Sequence, residues 1–389
     1  MNQTTKLTDL KQKLKDIKLD GFIVPRGDEF LGEFVPEHAE RLAWLTGFTG
    51  SAGMAIVGLN TSAVFSDGRY DIQVKQQVNQ QDFEVLNITK TKPDDWIINN
   101  FPEKSIIGYD SMLHTPAQIK KLRDKCVKAK IDLRPVTNNP IDEIWSDQPL
   151  QPAQDVFKFP DHIAGLTSYE KRQKIAKSLK EQNCFGVFLA QPDSVAWLLN
   201  IRGSDIAHNP FALSRGFLHA EDGSFDWFIE PERIDQLVSG HIGEDVRIHP
   251  PSHTKDILGK IAAQAKAGQL PISFDHNRSP VYFLELFKKN DCEIRQDEDP
   301  CLLPRAKKTQ SEAQAMRKIH IQDGAAMVRF LKWLEDNYPE QDLTEMDVAR
   351  KIDSLRSEIP GFYDTSFDTI AGFGSNGAVV HYRVSEKTN

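Results

Sequence analysis

The sequence predicts an α/β protein in which two similar domains lie in tandem and are followed by the start of an α+β segment. Helical patterns of ten or more residues alternate with short apolar runs, as expected for α/β units with a parallel or mixed sheet. Landmarks of the first half recur in the second half, which indicates a duplication. We therefore divide the 389 residues into domain I (1–146), a linker (147–160), domain II (161–305) and a third segment (306–389).

Four landmarks in the same order support the duplication. Gly186, at the start of GVFLA, lies 165 positions after Gly21, at the start of GFIVP. Asp275 likewise lies 165 positions after Asp110, and each of these residues ends an apolar run. A Thr-Pro or Ser-Pro pair then begins a helix, because proline lacks only an amide that would be unpaired there. The remaining landmark is WLTGFTG at Trp44 and WLLNIRG at Trp197.

The linker is rich in proline, and the third segment then begins with two predicted helices. Thr309 with Glu312, and Thr344 with Asp347, have the spacing at which side chains cap the free amides of a helix start. Apolar residues after Thr309 recur with a period near 3.6, which predicts a long amphipathic helix.

The Gly-rich stretch at 372–377 matches the pattern GxGxxG, but we interpret it as a β-hairpin turn. A dinucleotide site needs a helix directly after the glycines, whereas here an apolar, β-branched run follows. The Asn376-Gly377 pair is a strong hairpin signal because both positions tolerate positive φ. We therefore expect residues 378–380 to form a strand that His381 ends.

Three further motifs have plain structural interpretations. His249 and His253 have zinc-site spacing, but two prolines between them break the helix that would align the imidazoles. Asp364 and Asp368 would share one face of a strand, and we interpret them as exposed strand-end residues rather than cation ligands. The residues Asp67–Tyr70 follow an apolar strand and predict a turn with a helix start.

Composition excludes several classes of function. Hydrophobic residues make up 39% and charged residues 27%, as in an ordinary globular protein. The formal net charge is −8 and no basic run offers a phosphate-binding surface, so we expect no nucleic-acid partner. The absence of an apolar run of ~20 residues and of a signal peptide predicts a cytoplasmic protein with no membrane partner.

The cysteines indicate a reducing environment. They are scattered and form no CxxC pair, so we expect neither a disulfide framework nor a structural zinc site. We expect reduced and mostly buried thiols at Cys126, Cys184, Cys292 and Cys301.

Three stretches together resemble a known family. RLAWLTGFTGSAG (41–53), with the turn at 67–70, and WLLNIRGSDIAHNP (197–210) resemble the two creatinase-type N-terminal domains of the three-domain form of aminopeptidase P. TSFDTIAGFGSNGAVVHYR (365–383) resembles the start of the active-site region in the pita-bread metallopeptidases, which include aminopeptidase P. The resemblance covers essentially the whole chain. It implies two creatinase N-terminal-like α/β domains in tandem plus the incomplete start of an α+β pita-bread catalytic domain.

The resemblance implies removal of the N-terminal residue from short peptides with proline in second position. Such Xaa-Pro bonds resist ordinary peptidases, because the proline amide lacks an N–H and restricts its neighbour. The family uses two divalent metal ions, commonly manganese, held by two Asp, one His and two Glu, to activate a bridging water. Its motif assigns His381 to substrate contact and to support of the tetrahedral intermediate. A histidine at a strand end is otherwise more often structural.

The family's metal ligands follow this histidine motif, so we expect this chain to be truncated before them, to hold no metal and to be inactive alone. The parent protein would be a cytoplasmic, metal-dependent Xaa-Pro aminopeptidase and a homodimer. Its N-terminal domains would close over the active site, with Arg202 and Asp205 near the substrate; a local salt bridge is the alternative for this pair. The alternative function is that of a non-catalytic, peptidase-like interaction or scaffold protein.

Overall fold

We describe the protein from a computed structural model, in which residues 2–338 and 342–386 are described. Within these ranges the chain forms two mixed sheets of six strands, one in domain I and one in domain II, followed by a helical third segment. No helix in the same ranges is both long and apolar enough to cross a bilayer. The predicted α/β class of the two domains is confirmed.

Domain I alternates helices and strands. Its elements are α1 (Gln3–Asp16), β1 (Gly21–Pro25), α2 (Arg41–Thr46), β2 (Gly53–Gly58), β3 (Ser62–Ser66), α3 (Gln73–Gln77), β4 (Glu84–Asn87), α4 (Pro93–Asn100), β5 (Ile106–Asp110), α5 (Pro116–Lys128) and β6 (Asp132–Val136). The sheet order is β4-β3-β2-β1-β5-β6, with β1 antiparallel to β2 and parallel to β5. Leu7, Leu10 and Leu14 lie at helical spacing on α1 and are buried, which packs this helix into the core.

Domain II follows a short strand in the linker, β7 (Phe157–Lys158). Its elements are α6 (Asp161–Ala164), α7 (Ser168–Glu181), β8 (Gly186–Leu189), α8 (Pro192–Leu199), β9 (Ile201–Arg202), β10 (Arg215–His219), β11 (Phe225–Phe228), α9 (Gln236–Ile242), β12 (Val246–His249), α10 (Thr254–Ala267), β13 (Ile272–Phe274), α11 (Val281–Lys289), β14 (Ile294–Gln296) and α12 (Leu302–Ala306). The sheet order is β12-β11-β10-β8-β13-β14, and β7 pairs separately with β9.

The two domains repeat each other element by element. Both ends of α7 lie 165 positions after the ends of α1, and β8 begins 165 positions after β1. The two sheet orders correspond strand for strand, with antiparallel pairs at β1–β2 and β8–β10 and parallel pairs at β1–β5 and β8–β13. The predicted duplication is confirmed. The predicted free and buried thiols are also confirmed at Cys126, Cys184, Cys292 and Cys301.

Backbone hydrogen bonds join domain I directly to domain II. The amide of Val281 donates to His114 at 2.8 Å, and the amide of Ala117 donates to His276 at 3.1 Å. Beside them the buried guanidinium of Arg215 donates to the carbonyl of Glu29 at 2.5 Å and lies over the ring of Phe30. The two domains therefore form one continuous unit on which the third segment rests.

The third segment contains the two predicted helices, α13 (Gln310–Asn337) and α14 (Glu345–Ser357). Thr309 and Thr344 cap them as expected, each in a reciprocal capping box. Thr309 also donates to the carbonyl of Ala164 at 3.2 Å, which fastens the start of α13 to domain II. The two helices pack through a small apolar cluster that includes Phe330 and Ile352.

The predicted hairpin at Asn376-Gly377 is wrong. Residues Gly374–Ala378 form a 3-10 turn, and within 342–386 no strand is present. The reason is the carboxylate of Glu345 at the start of α14. It accepts hydrogen bonds from the amide of Phe373 at 2.5 Å and the side chain of Asn376 at 3.2 Å, so the chain curls around the helix end instead of pairing with itself.

Candidate active site

His381 lies where the third segment meets domain I. Its ring stacks on that of Tyr70, with centroids 5.8 Å apart and planes inclined by 20°. Its Nε2 lies 3.2 Å from Nη1 of Arg69, a contact between residues 312 positions apart. The expectation that His381 ends a strand is wrong, because its φ of +56° belongs to the left-handed region. The imidazole is thus presented from a turn and held against another domain.

The turn that receives His381 is the predicted one at residues 67–70. Gly68–Tyr70 form a 3-10 helix after β3, and Asp67 caps it by accepting from the amide of Arg69. The Asp67 carboxylate also accepts from Nε of Arg69 at 2.9 Å and from Nη2 at 2.6 Å. These hydrogen bonds from Arg69 hold the pKa of Asp67 below its usual value. The interpretation of this motif as a turn with a helix start is confirmed.

Tyr70 gives His381 a rigid support. Its side chain is only 2% exposed, and its hydroxyl lies 2.6 Å from Oγ of Ser51. The ring of Phe48 contacts it edge-on at 5.6 Å between centroids. Because Tyr70 is fixed by the core of domain I, the position of His381 is defined by that domain as well as by its own segment.

A buried tyrosine next to His381 ties the same segment to α14. The hydroxyl of Tyr382 donates to the Glu345 carboxylate at 2.5 Å. Hydrogen bonds from Tyr382, Phe373 and Asn376 lower the pKa of Glu345. A single carboxylate at the N-terminus of α14 therefore organises the polypeptide that carries His381.

Arg202 is the last residue of β9 and is partly buried. Its guanidinium stacks over the ring of Phe159 at 3.9 Å and donates to the carbonyl of Ile201 at 2.7 Å. Burial lowers the pKa of Arg202. The residue holds the end of β9 against the linker.

Asp205 is paired with a residue that the sequence did not suggest. Its carboxylate accepts from Arg233 Nη2 at 2.8 and 2.7 Å, and its side chain is fully buried. It also accepts from the amides of Leu213 at 2.7 Å and Gln154 at 3.1 Å. The structure therefore does not join Arg202 to Asp205. Instead, Asp205 fixes both ends of the loop between β9 and β10.

That loop carries His208, which contacts the third segment. Nε2 of His208 lies 3.0 Å from Asp368, while Nδ1 lies 3.2 Å from Asp364 and 3.0 Å from the carbonyl of Thr365. Partial burial opposes a charge on the ring. The hydrogen bond to Asp368 and the charge of Asp364 outweigh it and raise the pKa of His208. The two aspartates thus bind a histidine, and they lie in no strand.

Three family models match successive parts of the chain. Two models, each described as a creatinase/prolidase N-terminal domain, match residues 6–144 and 147–312. A model of metallopeptidase family M24 matches residues 314–389. The chain is therefore similar to creatinase/prolidase N-terminal domains over most of its length and to the M24 metallopeptidases over its last part. The expected resemblance to aminopeptidase P, with two creatinase-type domains before an M24 pita-bread domain, is confirmed.

Individual M24 relatives match almost the whole chain. A probable Xaa-Pro aminopeptidase P of Aspergillus clavatus is 30% identical and is aligned with 98% of this chain and 59% of its own length. One from Aspergillus fumigatus is also 30% identical, over 100% of this chain and 60% of its own. The X-prolyl aminopeptidase of Caenorhabditis elegans, described as a cytosolic enzyme with a di-nuclear active site, superposes with a TM-score of 0.93 at 27% identity. It covers 100% of this chain and 65% of its own. The chain thus spans about three-fifths of the curated relatives.

The M24 family is a family of metallopeptidases, and a bound metal ion needs several ligating side chains close together. Within 2–338 and 342–386, no group of three or more His, Cys, Asp or Glu side chains is placed to hold a metal. Asp364 and Asp368 contact His208, and His249 contacts Asp226 at 2.7 Å. We therefore derive no metal-dependent step from these residues.

Sequence reasoning missed Arg69, Tyr70 and His208 as neighbours of the site. The first two lay in a motif interpreted correctly as a turn, but their contact with His381 joins opposite ends of the chain. The sequence signal available for His208 was its place in the stretch 197–210, which resembles the family.

Proposed function

We propose that this chain is the N-terminal portion of a metal-dependent Xaa-Pro aminopeptidase, which removes the first residue from short peptides with proline in second position. The observation that carries the proposal is the superposition of the whole chain on the Caenorhabditis elegans enzyme with a TM-score of 0.93. The division into domain I (1–146), the linker (147–160), domain II (161–305) and the third segment (306–389) is part of this proposal.

An uneven distribution of exposed apolar residues supports the view that further polypeptide covers the third segment. Globular proteins rarely expose large apolar patches without a partner surface. Here the third segment exposes Met316, Ile319, Ile321, Val328, Leu331, Tyr363, Phe367, Ile370 and Phe373, among others.

In the proposed reaction His381 contacts the substrate. An imidazole offers a hydrogen-bond donor at one ring nitrogen, and such a donor stabilises the oxyanion that forms when a peptide carbonyl is attacked. The support comes from the motif match and from the fixed placement of the ring against Tyr70. We propose that His381 is the catalytic residue of this chain and part of its substrate-binding surface.

We propose that Arg202 and Asp205 belong to the substrate-binding side of domain II through the loop between β9 and β10. Asp205 fixes both ends of this loop, and Arg202 holds β9, the strand that precedes the loop. The loop in turn carries His208 to the third segment. Their effect on substrate would therefore be exerted through the position of the loop.

The metal requirement, oligomeric state and location complete the proposal. Two divalent ions, manganese by the family resemblance, would activate the attacking water when bound; membership in family M24 and the di-nuclear site of the relative support the pair. We propose a homodimeric parent protein acting in the cytoplasm on Xaa-Pro peptides, and the cytosolic description of the relative supports that location.

One assay tests whether residues 1–389 act alone. We expect the purified chain, supplied with Mn²⁺, to release no first residue from an Xaa-Pro peptide above a metal-free control. Turnover stimulated by Mn²⁺ would mean that the catalytic groups are misplaced in this proposal.

Sequencing the reading frame beyond the codon for Asn389 tests the parent. A frame that continues with two Asp, one His and two Glu at family spacing supports the enzyme. A stop codon there favours the non-catalytic interaction protein.

A further inference from the structure

The contact between Arg69 and His381 restricts the chemistry of the imidazole. A guanidinium carries only N–H donors and no acceptor. Its Nη1 lies 3.2 Å from Nε2 of His381. A hydrogen bond between these atoms requires a lone pair on Nε2, which is offered by the neutral imidazole that carries its proton on Nδ1.

Asp67 sets the direction in which Arg69 donates. Its carboxylate engages the Nε and Nη2 edge of the guanidinium at 2.9 and 2.6 Å. Such a two-point contact fixes the plane of the fork and leaves Nη1 directed away from the carboxylate. The cap that Asp67 forms on the 3-10 helix holds the carboxylate itself in place. A continuous series of side-chain contacts thus links Asp67 through Arg69 to His381.

Tyr70 restricts the orientation of the His381 ring. Stacking at 5.8 Å and 20° sets the plane of the imidazole. A 180° flip of the ring within that plane would put Cε1 in the place of Nε2 and so break the contact with Arg69. Because Tyr70 is buried and bonded to Ser51, the support is rigid. Domain I therefore sets the plane of the ring and holds a donor against Nε2 of a residue that belongs to the third segment.

We propose that Arg69, oriented by Asp67, is a positioning residue that holds His381 as the Nδ1–H tautomer and so makes Nδ1–H the donor offered to a peptide substrate. The role toward substrate depends on the proposed function, whereas the tautomer does not. A neutral histidine in water is mostly the Nε2–H form, so the arrangement reverses the usual preference.

Nitrogen NMR of the chain labelled with ¹⁵N-histidine reads the tautomer directly, because a ring nitrogen without a proton resonates far downfield of one that carries it. We would record spectra at about pH 9, where ordinary histidines are neutral, and assign His381 from the signal lost in His381→Gln. We expect Nδ1 to carry the proton in the unaltered chain.

Two substitutions of Arg69 by side chains of similar length distinguish the effect of its hydrogen-bond donor from the effect of its size. Arg69→Met removes the donor, and we expect His381 to revert to mostly Nε2–H; Arg69→Lys keeps a cationic donor, and we expect it to restore part of the Nδ1–H form. Arg134→Met is the matched control, because Arg134 forms the same kind of exposed pair with an aspartate two residues earlier. We expect it to change nothing at His381.

An Nε2–H signal in the unaltered chain would overturn the proposal, as would an Nδ1–H signal that survives Arg69→Met. The proposed function fails separately. If a protein that includes the M24 metal ligands does not cleave Xaa-Pro peptides while His381 shows the Nδ1–H form, the positioning by Arg69 stands and the peptidase proposal falls.

Discussion

Domains I and II share a fold but differ in what their sheets bury. One row of paired residues runs across four strands as Ile23, Ile56, Ala63 and Glu84 in domain I. The corresponding row of domain II is Phe188, Phe217, Asp226 and Arg247, and Phe188 lies 165 positions after Ile23. A small apolar side chain in one copy thus stands where the other copy holds a buried carboxylate.

Domain II satisfies this carboxylate completely. Asp226 accepts from Arg247 at 2.8 Å through both Nε and Nη2, and from His219 and His249 at 2.7 Å each. In domain I, Ala63 lies in the apolar core with Ile56 and Phe65. The fold thus holds a charge at this position where the neighbouring strands supply its partners, and an apolar side chain where they do not.

The turn after the third strand differs in the same way. It is a 3-10 helix in both copies, at Gly68–Tyr70 and at Pro231–Arg233. Domain I places Tyr70 in its core and leaves Arg69 to meet His381, while domain II turns Arg233 inward to Asp205. One copy therefore uses the turn as a contact for the third segment, and the other uses it to hold its own loop.

Placing a buried carboxylate in domain I, as domain II has at Asp226, should have the largest effect on stability. We expect Ala63→Asp to lower the free energy of unfolding by about 4 kcal/mol or more at neutral pH, because an unpartnered carboxylate in an apolar core must be desolvated or protonated. Urea denaturation measures the change. Val127→Asp, at an exposed site of α5, is the control and should change little. A loss below about 1 kcal/mol would show that domain I accommodates the charge.

Breaking the buried ion pair between Asp205 and Arg233 of domain II should have the next largest effect on stability. We expect Asp205→Ala to cost about 3–5 kcal/mol, because it leaves the buried Arg233 without its partner and two amides without an acceptor. The exposed pair of Arg134 supplies the control Asp132→Ala, for which little change is expected. Equal stability of the two variants in urea would mean that Arg233 finds another partner or reaches water.

In each of the two domains a lysine side chain lies over a tryptophan ring, but the two lysines are buried to different degrees. Lys171 lies 4.5 Å from the ring of Trp197 and donates to its carbonyl at 2.9 Å, and Lys6 makes the corresponding contacts with Trp44 at 4.7 and 2.9 Å. Burial lowers the pKa of Lys171 to about 8 and also lowers that of Lys6.

This difference predicts a pH dependence. Since an unfolded lysine has a pKa of about 10.4, the unfolded state binds more protons than the folded state between about pH 8 and 10, and the stability contributed at this site rises with pH there. We therefore expect the free energy of unfolding of the unaltered chain to increase over that range relative to that of Lys171→Met. Lys6→Met is the control and should show a smaller slope. Equal slopes would contradict the unequal burial.

The sequence was sufficient for features fixed by local pattern or by repetition. The 165-residue offset located both sheets, and the Thr-x-x-Glu and Thr-x-x-Asp spacings located α13 and α14. It was insufficient for contacts between distant segments. The Asn376-Gly377 hairpin failed because Glu345, 31 residues earlier, binds the turn, and no local pattern could relate His381 to Arg69.

The smallest expected effect lies at the contact that His208 of domain II makes with the third segment. Both ring nitrogens of His208 face carboxylates, an arrangement that only the protonated ring satisfies with two donors. Because its pKa is raised in the folded chain, its contribution is complete below the unfolded value of ~6.5 and disappears as pH rises through the folded pKa. We expect His208→Gln to lower stability by up to about 1 kcal/mol at pH ~5.5 and by less at pH ~9. Urea denaturation at both pH values measures this, with His253→Gln at an exposed position as the control; a loss that grows with pH would reverse the assigned charge of His208.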